Sequence, residues 1–293
     1  MQAVRYARAA SLDEAVQMLR DGGDVARVLA GGTDVIVLAR ERRRDIDLFV
    51  DIKHIPDVMV LSFNEADGLT VGAATPLYQV YAHPDVRQRY PALVEASRVI
   101  GGTAIQGRAS LGGNLANASP AADSIPAMMV LDGVANLVGP QGARQVRVAE
   151  FCTGPGRSVL EAGEFIVSLQ FPTPPAGSGF AWERFIPRNE MDIAVVNVGV
   201  SLVLDGDVVQ EARIALGAAA PTPLLLEDAA QALVGRRLDD DTIAAAAAAA
   251  KEAAQPISDM RGSIKQRKHL AAVLTERMIR KAAARARGEE AAL

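Results

Sequence analysis

Apolar positions along the chain switch between helical and strand periods in short blocks. Leu12, Ala15, Val16 and Leu19 recur at i, i+3, i+4 and i+7, so they share one face of a helix. Ser11 with Glu14 three residues later forms a capping box at its start, and Gly22-Gly23 ends it. A short strand near Val4 precedes this helix. Val25 to Ala30 reads as a buried strand and Gly31-Gly32 as a tight turn. Thr33 or Asp34 then caps a helix through Val35, Ile36, Leu38 and Ala39. Leu48 to Ile52 and Gly68 to Val71 read as strands. Thr75-Pro76 starts a helix with a cap and an N1 proline, and His83-Pro84 breaks it. A further helix runs from Pro91 to Ile100.

In the second half, Val134 to Val138 and Gln145 to Val148 are strands joined by the turn Gly139-Pro140-Gln141-Gly142, and Glu164 to Phe171 is another. Residues 172–179 combine three prolines with two glycines, which marks a domain boundary. The expected division is 1–176, itself in two parts at about 1–55 and 56–176, followed by 177–293. Beyond the boundary, Ile193 to Leu204 and Val208 to Leu216 are strands around the hairpin turn Asp205-Gly206. Helices follow from Thr222 or Pro223 to Val234, from Asp239 to Glu252 and from Ser263 to about Arg287, with a frayed tail after it. The alanine tract Ala244 to Ala250 is low in complexity but strongly helix-forming. Strands and helices mixed in this order give an α+β fold.

One stretch has too little apolar surface for a long buried helix. Gly101 to Asp123 holds five glycines, three small hydroxyl residues and two asparagines, with Ile105, Leu111 and Leu115 as its only large aliphatics. Such a run is suited to close approach of backbone to a ligand, because glycine removes the Cβ and leaves N–H groups open. The earlier sequence of strand, Gly31-Gly32 and helix start also offers free N–H groups to a phosphate, although an ordinary strand-to-helix turn fits it as well. Neither G-x-G-x-x-G nor G-x-x-x-x-G-K-[ST] occurs, and Asp34 is better suited to capping the helix than to facing an anion.

Composition narrows the function classes. The chain has 293 residues, 49% hydrophobic, with a net charge of −4, a pI near 5.5 and an aromatic fraction of 4%. This argues against a nucleic-acid surface. No apolar run reaches the roughly 18 residues needed to span a bilayer, and the N-terminus lacks the apolar core of a secretory signal, so a cytoplasmic protein is expected. Cys152 is the sole cysteine, which leaves no ligand set for an iron–sulfur cluster. His54, His83 and His269 are scattered without metal-ligand spacing.

VLAGGTDVIVL at Val28 to Leu38 and GRASLGGNLANASPAADSIPAMM at Gly107 to Met129 resemble the two flavin-contacting loops of the FAD-binding subunit of molybdenum hydroxylases. That family includes xanthine dehydrogenase, aldehyde oxidoreductases and carbon monoxide dehydrogenase. The likeness continues through residues 161–166, 188–194 and 258–263 and so covers almost the whole chain. It implies a two-part FAD-binding domain with the PCMH-like flavin fold, then a smaller domain of three strands and a helical bundle. By matching positions, Ala30, Gly31, Gly32, Thr33 and Asp34 would contact the pyrophosphate, flanked by Val28, Leu29 and Val35. Ser110, Leu111, Gly112, Gly113 and Asn114 would form the second loop. Asp123 would take a ribose or adenine-side hydrogen bond, Ile166 would pack on adenine and Ile100 would lie near the isoalloxazine. Arg184 stands where some relatives carry a lysine near the cofactor. Ile193 falls in the loop that shields one flavin face, or is a core strand residue.

The resemblance further implies an electron-transfer subunit with no catalytic acid or base of its own. Electrons would come from iron–sulfur clusters in a small partner subunit, fed by a large molybdopterin-binding subunit. They would pass to NAD, quinone or oxygen, in a dimer of heterotrimers without membrane insertion. Two alternatives remain: a stand-alone FAD oxidoreductase of the vanillyl-alcohol oxidase type, and a non-catalytic docking subunit.

Overall fold

The structure, a computed structural model, describes residues 3–188 and 190–289. Asn189, within one of the matching motifs, and the end of the expected frayed tail from 290 onward lie outside the described residues.

The first unit alternates β1 (Arg5–Arg8), α1 (Leu12–Gly22), β2 (Ala26–Leu29), α2 (Val35–Arg40) and β3 (Leu48–Asp51). Its three strands pair in parallel in the order β1-β3-β2, which leaves β2 on an edge. The capping box forms with a shift: Ser11 Oγ accepts from Glu14 N at 3.2 Å, while the Glu14 carboxylate accepts from Ala10 N at 2.7 Å. Ala15 and Leu19 are the buried stripe of α1 and join Ala26, Leu48 and Val50 in one small core.

The second unit begins with β4 (Leu61–Asn64) and β5 (Gly68–Gly72). Six short helices follow: α3 (Leu77–Ala82), α4 (Pro84–Arg89), α5 (Pro91–Ser97), α6 (Thr103–Gln106), α7 (Leu111–Asn117) and α8 (Ser124–Val130). Then come β6 (Val134–Gly139), β7 (Gly142–Arg147), α9 (Val148–Phe151), the small ribbon β8 (Cys152–Gly154) with β9 (Arg157–Ser158), and β10 (Phe165–Phe171). The main sheet is antiparallel in the order β4-β5-β10-β6-β7.

Three expectations change here. Pro76, not Thr75, occupies the cap position of α3, because the Thr75 hydroxyl donates to the Val60 carbonyl at 3.1 Å instead. The helix from Pro91 stops at Ser97, three residues early, where Gly101 and Gly102 withdraw helix propensity. Val148 begins a helix rather than ending a strand.

The third unit is an antiparallel sheet of β11 (Ser178–Phe185), β12 (Val196–Asp205), β13 (Val208–Gly217) and the two-residue β14 (Leu224–Leu225). It is backed by α10 (Glu227–Gln231), α11 (Asp240–Ala253) and α12 (Ile264–Ala286). Three long strands and a short fourth replace the three expected. The hairpin connection is Gly206-Asp207, with Gly206 at φ +58°. β12 starts at Val196, later than expected, so Ile193 is a loop residue and 50% exposed, not a core strand position.

The second and third units are joined through Glu95 of α5, whose side chain is only 10% exposed. One carboxylate oxygen accepts from the backbone N–H of Trp182 at 2.7 Å. The other accepts from Lys281 at 2.7 Å and Arg285 at 2.8 Å, both on α12.

Candidate cofactor site

A cleft of about 530 Å³ opens where the first two units meet, within the usual range for a small-molecule site. Its walls come from the edge strand β2 and the loop into α2, from the turn into α7, and from the chain entering β10.

The first wall is built around unpaired backbone donors. β2 ends at Leu29, the chain turns through Gly31 and Gly32, and α2 begins at Val35. Among the described residues, none of the five consecutive N–H groups from Gly31 to Val35 donates to another group. Asp34 does not cap α2 as expected: its backbone is at φ −104°, ψ −51°, helical rather than extended, and its carboxylate makes no cap bond.

The second wall has the same character. Ser110 is the N-cap of α7 and its hydroxyl accepts from Gly113 N at 3.1 Å, yet the N–H groups of Ser110 and Gly112, both in buried residues, have no partner among the described residues. Buried donors left unpaired cost about 1–3 kcal/mol each, so a site that leaves several suits an anion that would accept from them. This is the observation by which the residues present fit a dinucleotide pyrophosphate.

The loops must touch to form the cleft, and two glycines permit it. A Cβ on Gly31 would lie 2.0 Å from the Arg108 carbonyl oxygen, and one on Gly112 would lie 2.6 Å from Ala73. The Arg108 guanidinium also donates to the Gly31 carbonyl at 3.2 Å. These glycines therefore serve loop-to-loop and loop-to-sheet packing as well as any approach by a ligand.

At the other end, Glu161 to Phe165 form a turn along the cleft. Glu164 fixes it by accepting from Glu161 N at 2.7 Å and from Arg144 through two bonds of 2.7 Å. The Arg144 hydrogen bonds hold the Glu164 carboxyl below the usual range against the opposing effect of burial. Glu164→Gln is expected to lower stability by about 1 kcal/mol, since Arg144 is partly exposed. A folded pKa below the unfolded value, about 4.3, gives stability that is fully present above the unfolded value and lost as pH falls through the folded one. Thermal melts of the two proteins should therefore differ at neutral pH and converge only once the pH falls below the depressed folded pKa.

Thirteen of the eighteen residues expected at the cofactor line this cleft: Val28, Ala30, Gly31, Gly32, Thr33, Asp34, Val35, Ile100, Ser110, Gly112, Gly113, Asn114 and Ile166. Leu29 and Leu111 do not; both are buried, Leu111 in the core of the second unit. Asp123 and Arg184 also lie off the lining and pair with each other at 2.7 Å, with side chains 12% and 6% exposed. Burial pushes the Asp123 carboxyl up to about 7 against the pull of Arg184. Its Oδ1 is buried without a partner. The neighbouring Ser124 hydroxyl donates to Asn114 Oδ1 at 2.6 Å, which ties this pair to the second loop. Ile193 lies outside the lining and in the open.

Sequence reasoning missed Arg20, Arg27 and Arg44 at one end of the cleft, and Ala73, Asn117 and Leu160 elsewhere. Arg27 carried a signal: a cation inside an otherwise apolar strand marks a strand with an open edge.

Comparison with known proteins agrees with this geometry. The family model described as the FAD binding domain in molybdopterin dehydrogenase matches residues 2–174, and that of the CO dehydrogenase flavoprotein C-terminal domain matches 184–282. The chain is 33% identical over 285 residues to the putative xanthine dehydrogenase FAD-binding subunit XdhB of Escherichia coli (strain K12), covering 97% of each. It is 32% identical over 282 residues to the carbon monoxide dehydrogenase medium chain of Afipia carboxidovorans, covering 96% of this chain and 97% of that one. Among solved structures, carbon monoxide dehydrogenase from Hydrogenophaga pseudoflava lacking the Mo-pyranopterin moiety superposes with a TM-score of 0.93 at 30% identity, over 97% of this chain and 98% of that chain. The unpaired donors of both loops and the match along nearly the full length place this chain in the family of FAD-binding subunits of molybdenum hydroxylases.

Proposed function

We propose that this chain is the electron-transferring medium subunit of a heterotrimeric molybdenum hydroxylase. In this reading it works beside a large molybdopterin-binding subunit and a small iron–sulfur subunit, paired as a dimer of heterotrimers. That the N–H groups of Gly31 to Val35, Ser110 and Gly112 have no acceptor among the described residues is the observation that carries the reading: in it they hold the FAD pyrophosphate. Ile166 packs on the adenine, Ile100 lies near the isoalloxazine, and Asp123, held by Arg184 and tied to the second loop through Ser124 and Asn114, takes a ribose or adenine-side hydrogen bond. The loop carrying Ile193 covers one flavin face. We place the unit boundaries near residues 55 and 176.

When bound, FAD supplies a carrier that accepts electrons one at a time and releases them singly or as hydride. The chain's own task is to bind and orient it. With a single cysteine, the clusters that feed it belong to another chain. NAD, quinone or oxygen is the acceptor. Among the described residues no helix is long and apolar enough to cross a membrane.

The test compares the purified chain with the co-expressed complex. The chain alone is expected to show flavin absorption and release FAD on heating, yet to stay oxidised with purine, aldehyde or carbon monoxide substrates. In the complex, substrate bleaches the flavin band. A chain that reduced its own flavin with an alcohol or enol substrate would overturn the subunit reading in favour of a stand-alone oxidoreductase.

A further inference from the structure

Beside the first glycine loop, and outside the cleft lining, stands a chain of polar side chains that the cofactor reading does not use. Lys53 Nζ donates to the Ala30 carbonyl at 2.9 Å and reaches the Leu29 carbonyl at 3.4 Å. Its ammonium is held at 2.7 Å by Asp51 Oδ1, and the pair is largely buried, with side chains 23% and 6% exposed. Asp51 Oδ1 also accepts from Lys53 N at 3.0 Å, and its Oδ2 accepts from the Tyr6 hydroxyl at 2.7 Å. One carboxylate on β3 thus fixes a cation against the last carbonyl of β2 and the first one beyond it.

The consequence follows from peptide geometry. A trans peptide is planar, with C=O and N–H pointing in opposite directions. Holding the Ala30 carbonyl on Lys53 therefore turns the Gly31 N–H away from Lys53. The next plane is held in the same way, since Arg108 Nε donates to the Gly31 carbonyl at 3.2 Å and so sets the Gly32 N–H. Two cations orient two consecutive peptide planes, and both N–H groups so oriented belong to the unpaired set. Glycine imposes little preference of its own on these planes.

We infer that Lys53, held by Asp51, is a positioning residue for the FAD pyrophosphate: it sets the donor direction of the first loop without touching the cofactor. The inference rests on the reading that this loop holds the pyrophosphate.

The experiment uses the full chain stripped of flavin and refilled with FAD. Dissociation constants are read from flavin fluorescence, and the bound pyrophosphate is followed by phosphorus NMR. Lys53→Met is expected to weaken FAD by about tenfold or more and to shift the bound phosphorus resonances. Lys53→Arg should recover most of the affinity. Asp51→Asn, which keeps shape but loosens the ammonium, should fall between, and it carries the test if Lys53→Met does not fold. Unchanged melting of the flavin-free chain separates loop positioning from loss of fold.

FAD affinity within twofold of the parent, or weaker affinity with unmoved phosphorus resonances, would overturn the role of Lys53. If instead the parent protein's bound phosphorus resonances coincide with those of free FAD, the pyrophosphate reading itself fails.

Discussion

Gly31→Val will strip the chain of flavin. The Cβ alone would lie 2.0 Å from the Arg108 carbonyl oxygen and 2.6 Å from its carbon, and both are backbone atoms that no rotamer can move aside. The loops must part, and their donors no longer converge. Overpacking of this kind costs up to about 3 kcal/mol, which if taken entirely from binding is about 150-fold in Kd. Gel filtration followed by an absorption spectrum reads the result directly. Gly112→Val should do the same by displacing α7 from Ala73. Gly154→Ala is the control: its Cβ meets the Arg157 side chain at an ordinary 3.4 Å, away from the cleft lining, and flavin should be retained. Flavin retained by Gly31→Val would mean that contact between the loops is not needed for binding.

Glu95→Ala will have the largest effect on stability. It leaves Arg285, with a side chain 4% exposed, and Lys281 beside a vacated acceptor, and it unpairs the Trp182 N–H. Removing one partner of a buried ion pair costs about 3–5 kcal/mol, because the remaining charge stays desolvated. For a chain of this size that lowers the melting temperature by roughly 10 °C. Arg147→Ala breaks an ion pair with Asp132 in which the arginine side chain is 53% exposed, and should cost less than about 1 kcal/mol. Melts by circular dichroism distinguish the two. Equal small losses would show that Glu95 is not the joint between the second and third units.

The elements legible in the sequence were those whose signal is local. Helix α1 was readable because capping box, apolar stripe and terminating glycines fall within thirteen residues. The hairpin of β12 and β13 was readable from Asp205-Gly206 between two apolar runs. Strand β11 was not seen. It begins beside a proline-rich turn, and its centre, Gly179 to Trp182, is buried on both faces, so it shows no alternation. β4 was missed for a related reason, being four residues of an edge strand with only Leu61 and Phe63 as apolar signal.

At the site, the second glycine loop was legible from composition and the first only as a glycine turn between strand and helix, while their touching through Arg108 was not, because loop-to-loop contact leaves no periodic trace. Leu29 and Leu111 stood inside matching motifs but are buried, and Leu111 serves the core beneath it. The Asp123–Arg184 pair joins residues sixty-one positions apart. Lys53 followed its strand without any pattern that distinguishes a loop-orienting cation from a solvated one.

The joint at Glu95 carries a built-in reporter. Trp182, the chain's only tryptophan, is 3% exposed and has its own backbone N–H on that carboxylate. Its emission falls where oxidised flavin absorbs, so one unlabelled signal responds to two events. Water entering the joint shifts the emission to longer wavelength, whereas an arriving flavin dims it by energy transfer without moving its peak. Opening of the joint and loading of the cleft can thus be timed separately in the same cuvette, with no dye attached.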